Sequence, residues 1–184
     1  MASNLKLPEL LFEELIKPQL VRCTVDEFKY TVISISKDLG INPNWLMAVI
    51  ELETAHTFDP QITNGIGAVG LIQFTPRTAK RLGTTPGELR KMDGIRQLAY
   101  VRDYLWPYRE DIHSLTDCYC AVFFPLALEH SMTWHFHTPG MAAGMIAAAN
   151  PLFDPDGDGF INKSMIKAEL YSHIKPAKQH LLKK

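Results

Sequence analysis

The sequence predicts a mainly α-helical protein with room for at most a short hairpin. Three observations carry that expectation. Apolar residues recur at helical spacing along most of the chain. Helix-starting Asn, Asp and Thr-Pro pairs and a helix-ending Gly punctuate those stretches. Strand signals are weak, and the one Gly-rich exception, "FDPQITNGIGAVGLIQF" (58–74), is too short for more than a hairpin.

The elements follow in order. "DEFKYTVISISKDLG" takes Asp26 as N-cap and Gly40 as its stop. "NPNWLMAVIELETA" opens with Asn42 as cap and Pro43 in the first turn, where a missing N–H costs nothing. After the Gly-rich segment, Thr75-Pro76 and Thr85-Pro86 open two short helices. "GIRQLAYVRDYLWPY" carries Ile95, Leu98, Val101 and Leu105 on one stripe and ends at Pro107. "SLTDCYCAVFFPLALEH" reads as a buried helix interrupted near Pro125. A boundary near Asn150 separates residues 1–150 from a C-terminal segment, 151–184, expected to pack on the same domain. There is no internal repeat and no low-complexity linker.

Composition narrows the function. Of 184 residues, 46% are hydrophobic and 21% charged, enough for a real core. A formal net charge of −1 gives no field favouring nucleic acid or an anionic membrane, so no nucleic-acid partner is expected. The basic end "IKPAKQHLLKK" reads as a solvated tail. The start, "MASNLKLPELLFEELIKPQL", breaks its apolar run with Pro8, Glu9, Glu13 and Glu14 and does not read as a secretory leader. With no apolar stretch of about 18 residues, no membrane span is expected. Three cysteines (Cys23, Cys118, Cys120) read as free thiols, and His135 and His137 lack a third ligand at zinc spacing and read as structural.

Two acids interrupt the apolar run "VIELETAHTFDP". At about 100° per residue with Leu46 at zero, Val49 falls near about −60°, Ile50 near about +40° and Glu53 near about −20°. Glu53 therefore lies within the apolar stripe. Glu51 falls on the opposite face, near about 140°, and reads as a solvated surface residue. A carboxyl in apolar surroundings is costly to ionise, so its pKa rises, and a proton held near neutral pH is what a general acid needs. A Glu paired with a buried Arg or capping a neighbouring helix fits the same periodicity.

The residues around Glu53 decide between these readings. Glu53-Thr54, then Phe58-Asp59-Pro60, then Gly67-Ala68-Val69-Gly70-Leu71-Ile72-Gln73-Phe74 and Pro76-Arg77-Thr78-Ala79 stand in the order of a known pattern. It resembles that of the soluble-type lytic transglycosylases, which are similar to goose lysozyme; Ile72 replaces the family's usual Met. Its later Ala-x-Tyr-Asn-x-Gly motif is absent, and "DCYCAVFFPLA" in its place resembles phage-encoded members, with Tyr119 matched to the Tyr. The resemblance spans roughly residues 40 to 170. It implies an α+β lysozyme-like fold, Glu53 as the catalytic acid, and Tyr119 as the hydroxyl that positions it. It also implies a substrate-binding set of Thr54, Phe58, Gly70, Gln73, Phe74 and Tyr119. Gln73 offers both donor and acceptor to an amino sugar, while Phe58 and Phe74 suit either a sugar ring or the core.

The implied reaction is cleavage of the β-1,4 bond between N-acetylmuramic acid and N-acetylglucosamine in peptidoglycan, with no cofactor. A hydrolase commonly employs a second carboxylate, whereas a lytic transglycosylase needs one acid and yields a 1,6-anhydro product. Asp59, Glu51, Asp117 and Glu129 make no convincing partner, which favours the transglycosylase. A lysozyme-type hydrolase and a non-catalytic wall-binding or virion module are the alternatives. The expected partner is a peptidoglycan glycan strand and the expected state a monomer. The expected setting is synthesis in the cytoplasm and action on the bacterial wall in phage lysis or from a virion.

"DPDGDGFINKSM" (154–165) places Asp154, Asp156 and Asp158 at positions 1, 3 and 5 of an EF-hand-like loop, with Gly159 at 6, the Phe160 carbonyl at 7 and Asn162 at 9. Met165 stands where a bidentate Glu belongs, and Glu169 lies a helical turn further on. The expectation is a weak structural Ca2+ clip on the C-terminal segment.

Overall fold

The computed structural model describes residues 7–183. The first six residues of the leader reading and the last lysine of the basic end lie outside them. The helices are α1 (Pro18–Val21), α2 (Val25–Leu39), α3 (Pro43–Glu53), α4 (Pro76–Arg81), α5 (Pro86–Lys91), α6 (Gly94–Leu105), α7 (Leu115–Phe123), α8 (Ala143–Ala149) and α9 (Lys163–Ser172). Extended structure among the described residues consists of isolated bridges, Thr63 to Val69, Val69 to Phe74 and Thr138 to Met141. The mainly helical expectation is borne out.

Most boundaries fall where the sequence places them. Asn42 Oδ1 accepts from Asn44 N at 2.8 Å and Pro43 opens α3. Thr75 and Thr85 cap α4 and α5, and Gly40 ends α2 with φ 68°. The start of α2 is a correction. Its N-cap is Thr24, whose Oγ1 accepts from Glu27 N at 3.2 Å while Glu27 Oε2 accepts from Thr24 N at 2.8 Å. This reciprocal pair satisfies two orphan donors, which a cap at Asp26 could not do. Asp26 sits in the first turn instead.

Helix α3 runs through the core. Every residue from Asn44 to Glu51 is buried. Fully burying Leu46, Met47, Val49 and Ile50 contributes roughly 1.5–3 kcal/mol each. Helices α2 and α7 pack on α3, and so does the C-terminal 3-10 segment Pro176–Leu182. Trp45 Nε1 donates to the Leu182 carbonyl at 2.9 Å, and Asn42 Nδ2 donates to the Leu181 and Lys183 carbonyls at 2.8 Å each. A nearly buried ion pair, Lys163 Nζ to Asp117 Oδ1 at 2.7 Å, ties α9 to α7. Phe153 meets Tyr119 edge-on with centroids 5.5 Å apart. Residues beyond 150 therefore share the core of those before it.

The three cysteines are free. Burial pushes the thiols of Cys118 and Cys120 up to about 12, so neither is a ready nucleophile at neutral pH. No helix among the described residues is long and apolar enough to cross a membrane.

Candidate active site

Glu53 is the last residue of α3, and its side chain enters a cleft of about 570 Å³. One wall comes from the Gly-rich segment (Asn64, Ile66, Ala68, Ile72, Gln73), with Thr75 beyond it. The opposite wall comes from Tyr119, Val122 and Phe123 of α7 and from residues 149–153. Burial pushes the Glu53 carboxyl up to about 7, against a hydrogen bond from Tyr119 that pulls it down. The Tyr119 hydroxyl is raised well above the ordinary tyrosine range, by burial first and then by the Glu53 charge. Glu53 is the one carboxylate among the described residues lining the cleft. The arrangement can hold a proton near neutral pH and deliver it to a ligand oxygen.

The turn after Glu53 fixes its direction. Thr54 Oγ1 donates to the Ile50 carbonyl at 2.7 Å and accepts from Phe58 N at 2.9 Å. Ala55, His56 and Phe58 all adopt left-handed backbone, with φ 47°, 67° and 57°. Such residues persist only where their surroundings over-determine them, and they cluster at functional sites.

Of the expected substrate contacts, Gln73 and Tyr119 reach the cleft and four do not. Thr54 is wholly buried and staples the turn. Phe58 is buried edge-on against Phe28, and Phe74 edge-on against Tyr104, so both rings serve the core. Gly70 is buried with φ 83°, and a Cβ there would collide with the Gln97 side chain. Its role is to let backbone pass Gln97. Even Gln73 spends its amide on the fold, donating to the Gly70 carbonyl at 3.0 Å.

The sequence reading missed Gln97. Wholly buried, it accepts from Leu71 N at 3.0 Å and donates to the Pro60 and Leu89 carbonyls at 2.5 and 2.8 Å, pinning the Gly-rich wall. A glutamine on the apolar side of α6 was the available signal. Asn64 was missed too; its Oδ1 accepts from Ile66 N and Ala68 N at 3.1 and 2.9 Å and shapes the loop that lifts Ile66 to 77% exposure.

Glu51 is a correction. It is buried, with its two carboxylate oxygens 2.5 Å from His56 Nδ1 and 3.3 Å from His173 Nδ1. The face of α3 opposite the first apolar stripe is covered by the C-terminal segment, so it never meets bulk water.

In the aspartate loop the carboxylates of Asp154, Asp156 and Asp158 bring ligand oxygens within 4.8 Å of one another. Asp154 accepts from Asp158 N at 3.0 Å and Gly159 N at 3.2 Å. Desolvation first, then the Asp156 and Asp154 charges, hold Asp158 above its ordinary value. Phe160 stacks its ring on His135, with centroids 3.8 Å apart, which also accounts for one of the two loop histidines. Asn162 differs from expectation. Its Oδ1 accepts from Ser164 N and Met165 N at 2.9 and 3.1 Å and caps α9. Glu169 Oε1 faces His173 Nε2 at 2.9 Å, so it does not replace the oxygens that Met165 lacks.

Residues 31–98 match the family described as "Transglycosylase SLT domain". A protein named "Transglycosylase" from Enterobacteria phage PRD1 is 36% identical over 55 residues, covering 30% of this chain and 20% of the relative. The chain spans about a fifth of that relative's length. No solved structure gives a match. The resemblance read from Glu53 and the Gly–Gln motif is borne out over 31–98, a segment that ends before Tyr119.

Proposed function

We infer that the protein is a lytic transglycosylase acting on peptidoglycan glycan strands, with Glu53 as its catalytic acid and base. The observation that carries this reading is a single half-buried carboxyl raised to about 7 beside Tyr119, in a cleft whose described lining offers no second carboxylate. Glu53 transfers its proton to the bridging oxygen of the muramic acid–glucosamine β-1,4 bond as the C1–O bond breaks through an oxocarbenium-like state. The resulting carboxylate then takes the proton of the muramyl C6 hydroxyl while O6 bonds to C1. The acid is regenerated and the sugar ends as a 1,6-anhydro ring. Tyr119 positions the carboxyl and supports its charged form between the two steps. The phage relative supports a role in wall digestion during infection.

The aspartate loop fits a weak, oxygen-ligated Ca2+ clip. Asp154, Asp156, Asp158 and the Phe160 carbonyl would hold the ion, with water in place of the missing position-12 carboxylate. It plays no part in the reaction.

The test is digestion of purified sacculi by wild type and Glu53→Gln, with mass spectrometry of the products. A loss of at least about a hundredfold is expected for a proton donor turned into an amide. Wild-type products should be lighter by one water than hydrolytic muropeptides. Retention of more than a tenth of the activity would sink the assignment of Glu53, and mostly reducing-end products would make the enzyme a hydrolase.

A further inference from the structure

A second cluster of titratable side chains lies where the turn after α3 meets the end of α9, and the cleft does not include it. Glu51 contributes a carboxylate on a side chain only 5% exposed. His56 Nδ1 lies 2.5 Å from Glu51 Oε1, and His173 Nδ1 lies 3.3 Å from Glu51 Oε2. The three ligand atoms fall within 4.8 Å of one another. No lysine or arginine pairs with Glu51 among the described residues, although a buried carboxylate needs a cation to offset its lost hydration.

The second ring nitrogen of His173 specifies the chemistry. His173 Nε2 is 2.9 Å from Glu169 Oε1, and with the ring hydrogen on Nε2 the lone pair of Nδ1 is left for a metal. His173 Nδ1 faces Glu51 Oε2 at 3.3 Å, so the ring stands between two carboxylates. An imidazole held by an outer carboxylate with its other nitrogen free is the arrangement of metal-binding histidines.

We propose that Glu51, His56 and His173 form a binding site for a divalent transition ion of the Zn2+ class, with Glu169 orienting His173. Two imidazoles and one carboxylate are a zinc donor set, and zinc bonds of about 2.0–2.2 Å require ligand atoms only a little over about 3 Å apart. The Glu51–His173 pair already has that spacing at 3.3 Å, and His56, with a side chain 56% exposed, would swing outward from its 2.5 Å contact to admit the ion. A fourth position faces solvent on the His56 side and takes water. The ion would tie residues 51 and 56 to residue 173, clamping the strained turn beside Glu53 to α9. The site is independent of the aspartate loop, whose donors are all oxygen.

The test is isothermal titration of the chelator-treated, tag-free full chain with ZnCl2, alongside melting curves and Co2+ absorption spectra. One ion per chain should bind, with cobalt giving the intense visible bands of a low-coordinate nitrogen–oxygen site. Zn2+ at a hundredfold excess over its dissociation constant should raise the melting temperature by about 5–10 °C. His56→Ala, at an exposed position that tolerates truncation, and His173→Ala should each abolish stoichiometric binding. Glu169→Gln should weaken it by about 10–100-fold. His135→Ala with His137→Ala should leave it unchanged. Absence of a stoichiometric Zn2+ heat overturns the proposal. So does binding that survives His56→Ala or disappears with the His135/His137 pair.

Discussion

Replacing Glu53 by Gln should make the protein more stable at alkaline pH while destroying the proposed activity. The Glu53 carboxyl is raised from 4.5 to about 7, chiefly by burial. Between those values the native state keeps a proton that the unfolded state has released. Stability therefore falls as pH rises through that window, and is fully present only below it. At about 1.4 kcal/mol for each tenfold change in proton affinity, the rise from 4.5 to about 7 sets a ceiling of about 3.5 kcal/mol. One side of the carboxyl opens onto the cleft, and water there reduces the expected effect to about 2 kcal/mol. Gln keeps the shape and accepts the Tyr119 hydroxyl, but never ionises. The variant should thus melt about 4–8 °C above wild type at pH 8.5 and coincide with it at pH 4, where both forms are neutral. Thermal melts across that range, read by circular dichroism, measure the difference directly. If Glu53→Gln is no more stable than wild type at pH 8.5, the carboxyl is not buried and raised, and the proton-donor argument fails with it.

Tyr119→Phe removes the hydrogen bond that favours the ionised Glu53, so the alkaline limb of kcat/KM should move up by about one pH unit; an unchanged or lowered limb counts against the pairing. Gly70→Ala forces a Cβ into Gln97 at φ 83° and should cost about 3 kcal/mol or more in urea melts; a cost below about 1 kcal/mol would show that the wall is not pinned there. Millimolar Ca2+ should raise the wild-type melting temperature modestly, and Asp154→Ala with Asp156→Ala should remove the response; no calorimetric Ca2+ binding at that concentration leaves an ordinary aspartate–glycine turn.

How far a sequence can be read here depends on whether a residue's role is local. Asn42, Thr75 and Thr85 act on backbone two or three residues away, so their spacing declares them. Glu53 is legible for the same reason, because helical geometry alone puts it on the side facing α7 and Tyr119. Phe58, Phe74 and Gly70 stand in a recognisable order, but order does not distinguish a residue that touches a ligand from one that shapes the wall behind it. Only the packing against Phe28, Tyr104 and Gln97 separates the two. Glu51 is the sharper case. A helix with one apolar stripe presents its other face to water only if nothing later in the chain returns to cover it. Here His173 arrives from more than a hundred positions away and turns a solvated acid into a buried one. The rule that exposes Glu53 therefore misplaces Glu51, two residues earlier on the same helix. A second signal was available: "ELETAH" places His56 five residues after Glu51, and the left-handed turn at Ala55 and His56 brings that ring back onto the helix end. A buried acid that meets two imidazoles is a sign of chemistry, because packing alone would have been served better by an apolar side chain.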